Sequence, residues 1–172
     1  MKRIMIIGCC GAGKSTFARK LYAKTQLPLI HLDQEFWQPN WVETEEEAWK
    51  EKVTELANRP MWIIDGNYGG TMDVRQKVAD TIIFFDYPTM KCLARVVRRI
   101  IQHHGKVRPD MPEGCHERFD FDFLHYVATF NIVKRKGILK KLAKAKEQGK
   151  EVVIFKNDQA ADDFLKRLSD IN

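Results

Sequence analysis

Five short apolar runs punctuate the chain, at residues 3–7, 28–32, 61–64, 81–85 and 151–155. Each is nearly continuous and rich in β-branched residues rather than alternating, which predicts strands covered on both faces. The stretches between them carry helical spacing. Phe17, Ala18, Leu21 and Tyr22 form one apolar face. Thr44, Glu45, Glu46 and Glu47 read as a capping box before the stripe Trp49, Val53, Leu56 and Ala57. Met90, Leu93, Val97, Ile100 and Ile101 predict another face, and Ile138, Leu139, Leu142 and Ala145 a further one. Phe164, Leu165 and Leu168 close the pattern. Strands that alternate with helices predict βαβ units, hence an α/β fold around a parallel sheet. Residues 103–118 break the rhythm with two prolines, two glycines and little apolar content. A functional loop or lid inserted in the domain is the reading there.

The length of 172 residues, against about 150 per domain, predicts a single domain. Hydrophobic residues make up 44% and charged residues 30%, which excludes a disordered or fibrous chain. No apolar run reaches the ~18 residues of a membrane span. The apolar start after Met1, Lys2 and Arg3 stops at Gly8, short of the roughly 7–15 residues of an export signal. The expected compartment is therefore the cytoplasm. Cys9, Cys10, Cys92 and Cys115 show no framework spacing and are expected as reduced thiols.

Residues 8–15, GCCGAGKS, fit G-x-x-x-x-G-K-[ST] at every position, between a predicted strand and a predicted helix. Glycines there let successive N–H groups turn inward on phosphate oxygens, and the helix N-terminus adds partial positive charge. Gly8, Gly11, Ala12, Gly13, Lys14, Ser15 and Thr16 are thus candidates for binding ATP. Lys14 would reach the β- and γ-phosphates, and Ser15 would hold Mg²⁺. Glycines at 8, 11 and 13 do not spell the dinucleotide fingerprint.

Aspartates follow three predicted strands, and ligands of open parallel sheets gather at that edge. Asp65 is the candidate for the metal shell and substrate site, and Asp33 for orienting or deprotonating an acceptor hydroxyl. Asp86 reads more simply as a turn former. From residue 89 to 109 there are six Lys or Arg residues and no acid, which matches the whole net charge of +6. With no local partner, Arg95, Arg98 and Arg99 suit phosphoryl charge, and Arg108, Arg118 and Arg135 are expected near the same ligand. The lysines of residues 134–150 surround their helix and read as solvated surface, with a nucleic-acid backbone contact as the rival. His103, His104, Cys115 and His116 lack zinc-site spacing. Trp37, Trp41, Trp49 and Trp62 are expected as core and pocket wall.

Taken together, these residues resemble the adenylate-kinase-like branch of the P-loop nucleoside and nucleotide kinases. The resemblance is closest to bacterial proteins called DNA topology modulation proteins. It rests on residues 6–15, His31-Leu32-Asp33, residues 62–68, and residues 108–118. It implies a three-layer fold with strand order 2-3-1-4-5, an ATP site at the first loop, a mobile lid, and an acceptor site near the second strand. It further implies adenine contacts near Lys156 and Asn157. Where adenylate kinases read D-G-F-P-R, this chain reads Asp65-Gly66-Asn67-Tyr68-Gly69. The arginine for an acceptor phosphate is missing there. Tyr68 and Arg75 are the substrate-side candidates instead. The expected function is Mg·ATP-dependent phosphoryl transfer to a nucleotide-like or other small acceptor, by a monomer or dimer. Nucleotide-regulated DNA binding and acceptor-independent ATP hydrolysis are the alternatives.

Overall fold

A computed structural model describes residues 1–169. In chain order the elements are β1 (Arg3–Gly8), α1 (Lys14–Thr25), β2 (Leu29–His31), α2 (Leu32–Phe36), β3 (Trp37–Gln38), β4 (Val42–Glu43), α3 (Glu46–Asn58) and β5 (Trp62–Asp65). They continue with α4 (Met72–Val78), β6 (Thr81–Phe85), α5 (Thr89–His103), α6 (Phe121–Val133), α7 (Arg135–Glu147), β7 (Glu151–Phe155) and α8 (Asp158–Ser169). The five apolar runs are the five strands of one parallel sheet, ordered β2-β5-β1-β6-β7. Leaving out the two-residue strands β3 and β4, this is the expected 2-3-1-4-5 order. The small β3–β4 hairpin is an addition that the pattern did not announce.

Helices flank the sheet on both faces, so consecutive residues of β5 and β6 are all buried. α1 packs with α8, α3 with α4, and α6 with both α5 and α7. Ile4, Ile63, Ile83 and Phe84 are fully enclosed. Each such side chain contributes roughly 1.5–3 kcal/mol by leaving water. No helix among the described residues is long and apolar enough to cross a membrane.

Three local expectations change. The buried face of α5 is Cys92, Val96 and Ile100, whereas Met90 and Ile101 are each 74% exposed. Gly11 explains the rotation. A Cβ built there would lie 2.4 Å from the carbonyl oxygen of Cys92, so α5 turns its small residues to the loop. Gly11 also has φ +81°. Gly11→Ala is expected to cost about 1–3 kcal/mol from left-handed strain alone, read by urea unfolding. An unchanged midpoint would show that the loop tolerates a side chain. The cap of α3 is Glu45, whose Oε2 accepts from the amides of Glu47 and Ala48, both at 3.0 Å. Thr44 donates its hydroxyl to the Phe36 carbonyl instead. Tyr22 is 43% exposed, while Phe17, Ala18 and Leu21 are buried as the spacing predicts.

Candidate active site

Because the strands are parallel, their C-terminal ends bring the loop after β1, Asp33 and Asp65 to one edge of the sheet. A cavity of about 930 Å³ opens there. Lys14, Ser15, Asp33, Asp65, Asn67, Tyr68, Arg99, Arg108 and Arg118 all line it. The loop 8–15 holds its shape through Ala12 N–H to Cys9 O at 3.2 Å. The first amides of α1 have no acceptor within the helix and are available to an anion. Lys14 donates to the Cys9 carbonyl at 3.1 Å, which keeps the ammonium folded over the loop. Burial opposes that charge, but Cys10 first, then Asp65 and Asp33, hold its pKa above the ordinary lysine value.

The turn after β5 ties the two sides of the cavity together. Asn67 accepts from the Gly8 amide at 3.0 Å, and its Nδ2 donates to the Tyr126 hydroxyl at 3.4 Å. The Tyr68 hydroxyl donates to Asp33 Oδ1 at 2.7 Å. His31 Nδ1 donates to Asp65 Oδ2 at 3.0 Å, which places the ring proton on Nδ1. Asp65 Oδ1 is buried and has no hydrogen-bond partner among the described residues. Burial, reinforced by the charge of Asp65, raises the Asp33 pKa against the lowering effect of the Tyr68 hydroxyl.

Several expected ligand contacts are spent inside the protein. The Arg75 guanidinium is fully buried. It donates to the carbonyls of Gly66 at 2.8 Å and Tyr68 at 3.1 Å, and to that of Asn67. It does not line the cavity, so the acceptor role expected of it has no geometric basis. Arg135 pairs with Asp86 at 2.6 and 2.8 Å, away from the cavity. Arg95 and Lys91 both bind Asp158 of α8, whose pKa falls to about 2 chiefly through the Arg95 hydrogen bond. Arg98 is exposed, as are Thr16 and the residues Lys156 and Asn157 beyond β7. Lys156 and Asn157 lie outside the cavity lining, and Asn157 Oδ1 accepts from the Ala160 amide.

Arg99 and Arg108 do face the cavity, but not without acids. Both meet the buried Glu117, at 3.1 and 2.6 Å, and Arg108 also meets Asp110 at 2.8 Å. Residues 103–118 form bridges and turns between α5 and α6. This segment folds onto α2 and the β3–β4 hairpin: Gln34 Nε2 donates to Pro109 O (2.7 Å), Trp41 Nε1 to His116 O (3.1 Å), and Cys115 Sγ to Gln38 O (3.3 Å). Trp37 and Trp41 line the cavity, while Trp49 and Trp62 are core. Among the described residues no group of three or more His, Cys, Asp or Glu is placed to hold a metal ion.

Sequence reasoning missed Tyr126, which sits in an apolar helix with no motif around it. It also missed how Asn67 links the turn to Gly8. The position of Asn67, two residues past the strand-end aspartate, was the available signal.

The whole chain matches solved structures in its backbone path. It is similar to shikimate kinase from Bacteroides thetaiotaomicron, with a TM-score of 0.51, 18% identity, and coverage of 99% of this chain and 97% of that one. It is similar also to a gluconokinase from Sinorhizobium meliloti, with a TM-score of 0.56, 15% identity, and coverage of 98% and 94%. The chain has the P-loop kinase fold. In this chain the loop after β1 shares one cavity with Asp33 and Asp65, whereas Asp86 after β6 pairs with Arg135 outside the lining. No protein-family model matches the chain, and no curated protein matches its sequence.

Proposed function

We propose that the protein is an ATP-dependent phosphotransferase acting on a small hydroxyl acceptor. The observation that carries this reading is the convergence of Lys14, Ser15, Asp65 and Asp33 on one cavity. Lys14 and the α1 amides bind the β- and γ-phosphates of ATP. A magnesium ion fits the donor set. The buried, unpartnered Oδ1 of Asp65 and the Ser15 hydroxyl would hold it, and it would supply neutralisation of phosphate charge.

Asp33 stands where a base is needed. Tyr68 occupies one of its oxygens, which leaves the other for the acceptor. The acceptor oxygen forms its bond to the γ-phosphorus as the bond from that phosphorus to the ADP oxygen breaks. The acceptor proton passes to Asp33. Arg99 and Arg108 stabilise charge on the transferring group. Such catalysis is mostly positioning and charge stabilisation. The likeness to kinases whose names give shikimate and gluconate as substrates supports a hydroxyl as the attacking group.

The test is ADP formation from Mg·ATP across nucleosides, nucleotides, shikimate, gluconate and other hydroxy compounds. Acceptor-dependent ADP is expected, and purely acceptor-independent hydrolysis overturns the transferase reading. The pH profile tests Asp33. Its raised pKa means that the base is lost on acidification above the usual aspartate range. An acid limb at or below that range rules out this base, and Asp33→Asn should remove the limb with about 10²-fold or more of the rate.

A further inference from the structure

Of the arginines that line the cavity, Arg118 is mostly exposed and its carboxylate partner, Asp120, is 3.8 Å away. Arg99 and Arg108 are held differently. One carboxylate stands between them. Glu117 Oε1 accepts from Arg99 Nη2 at 3.1 Å, and Glu117 Oε2 lies 2.6 Å from Arg108 Nε. The Glu117 side chain is only 5% exposed. A carboxylate so enclosed is costly unless cations meet it, and here one meets each oxygen. Two guanidiniums on one cavity also repel each other, and an anion between them offsets that repulsion. Asp110 meets Arg108 alone, from two residues along the same turn. Lys14, Lys134 and Lys141 line the cavity too, but among the described residues they form no ion pair with Glu117.

The main chain fixes Glu117 in turn. Its N–H donates to the Lys106 carbonyl at 2.8 Å, and its carbonyl accepts from the Gly105 amide at 2.9 Å. On the α6 side, the Arg99 guanidinium lies over the Phe123 ring, 5.5 Å from its centre. Glu117 thereby joins α5, through Arg99, to the segment that carries Arg108. A guanidinium has three nitrogens. The acids take one on Arg99 and two on Arg108, so each arginine keeps a nitrogen for a ligand in the cavity. Glu117 has the same sign of charge as a phosphate. It acts on one only through the two arginines.

We propose that Glu117 is a positioning residue, which aims Arg99 and Arg108 together at the γ-phosphate of ATP. This rests on the phosphotransferase reading above and adds the group that sets its arginines. A counterion without a positioning role has the opposite signature. Its loss takes a negative charge from the cavity and strengthens the hold on a triphosphate. Loss of a positioning residue weakens that hold, because the released guanidiniums repel and turn away from their common target. The sign of the change separates the two roles.

The experiment titrates the full chain calorimetrically with Mg·ADP and with the magnesium complex of the β,γ-imido analogue of ATP, so no acceptor is needed. Glu117→Gln should weaken the analogue by about tenfold or more and leave ADP within about twofold. In an Arg99→Ala background the same substitution should cost the analogue about threefold or less, since one of its two arginines is gone. Glu117→Asp keeps the charge but is one methylene too short to span both guanidiniums. It should weaken the analogue by about threefold or more, and it carries the test if Glu117→Gln fails to fold. Urea unfolding of the same variants reads stability separately. A lowered midpoint with an unchanged ratio of analogue to ADP affinity makes Glu117 a structural tie and overturns the proposal. Tighter analogue binding also overturns it, and equal losses in both backgrounds remove the route through Arg99. Each of these leaves the phosphotransferase reading standing. That reading falls separately, if the unaltered chain shows no Lys14-dependent binding of either nucleotide.

Discussion

Lys14→Ala is expected to lower the proposed phosphoryl transfer by about 10³-fold or more, equal to about 4 kcal/mol of transition-state stabilisation. The reasoning starts from where the ammonium sits. It is pinned over the 8–15 loop by its bond to Cys9 O, and its pKa is held up by the acids that share the cavity. Charge placed in advance costs no reorganisation when the phosphoryl group moves. Removal subtracts that charge and also takes from Asp33 the ammonium that offsets Asp65, which pushes the Asp33 pKa higher still. Arginine is a poor substitute, because a planar fork cannot replace a compact point charge in the loop. Single-turnover ADP formation by folded protein checks the effect. A rate within tenfold of the unaltered chain would take Lys14 out of the chemistry.

Arg75→Ala is expected to destabilise the fold by about 3 kcal/mol or more, because the carbonyls of Gly66, Asn67 and Tyr68 would be left without their donor. Burial lowers the guanidinium pKa to about 10, so the side chain stays charged at neutral pH even in this enclosed place. The three carbonyls belong to the turn that carries Asn67 to Gly8 and Tyr68 to Asp33. Loss of Arg75 is therefore expected to loosen the 8–15 loop and Asp33 together. Arg75→Met refills much of the volume and separates the cavity cost from the hydrogen-bond cost. Urea unfolding measures both variants. A loss below about 1 kcal/mol for alanine would mean that water replaces the guanidinium.

Local signals in this chain were legible, and long-range pairing was not. The 8–15 loop could be read because its requirements are local: glycine backbone, a strand before it and a helix after it. The strand runs were equally plain, while their order came through resemblance to a family rather than from hydrophobicity. Residues 89–109 looked free of acids because the partners come from elsewhere. Asp158 is 63 residues from Arg95, and Glu117 is 18 from Arg99. Asp86 likewise finds Arg135 across 49 residues. The wrong face of α5 was chosen for a related reason. Met90 and Ile101 are larger and more apolar than Cys92 and Val96, yet the close approach to Gly11 selects the small side chains. The hairpin escaped notice because its strands are two residues long and its turn depends on positive φ at Asn40 and Trp41.

Three hydrogen bonds tether residues 103–118 to the segment holding Gln34, Gln38 and Trp41. The cavity walls that these two segments form are therefore parts of one mechanical unit. A ligand that shifts one wall does work on the other, and the free energy of that coupling belongs to neither ligand alone. By linkage, whatever factor ATP imposes on acceptor affinity, the acceptor must impose on ATP. On the proposed phosphotransferase reading, synergy between the two substrates would run through these three hydrogen bonds.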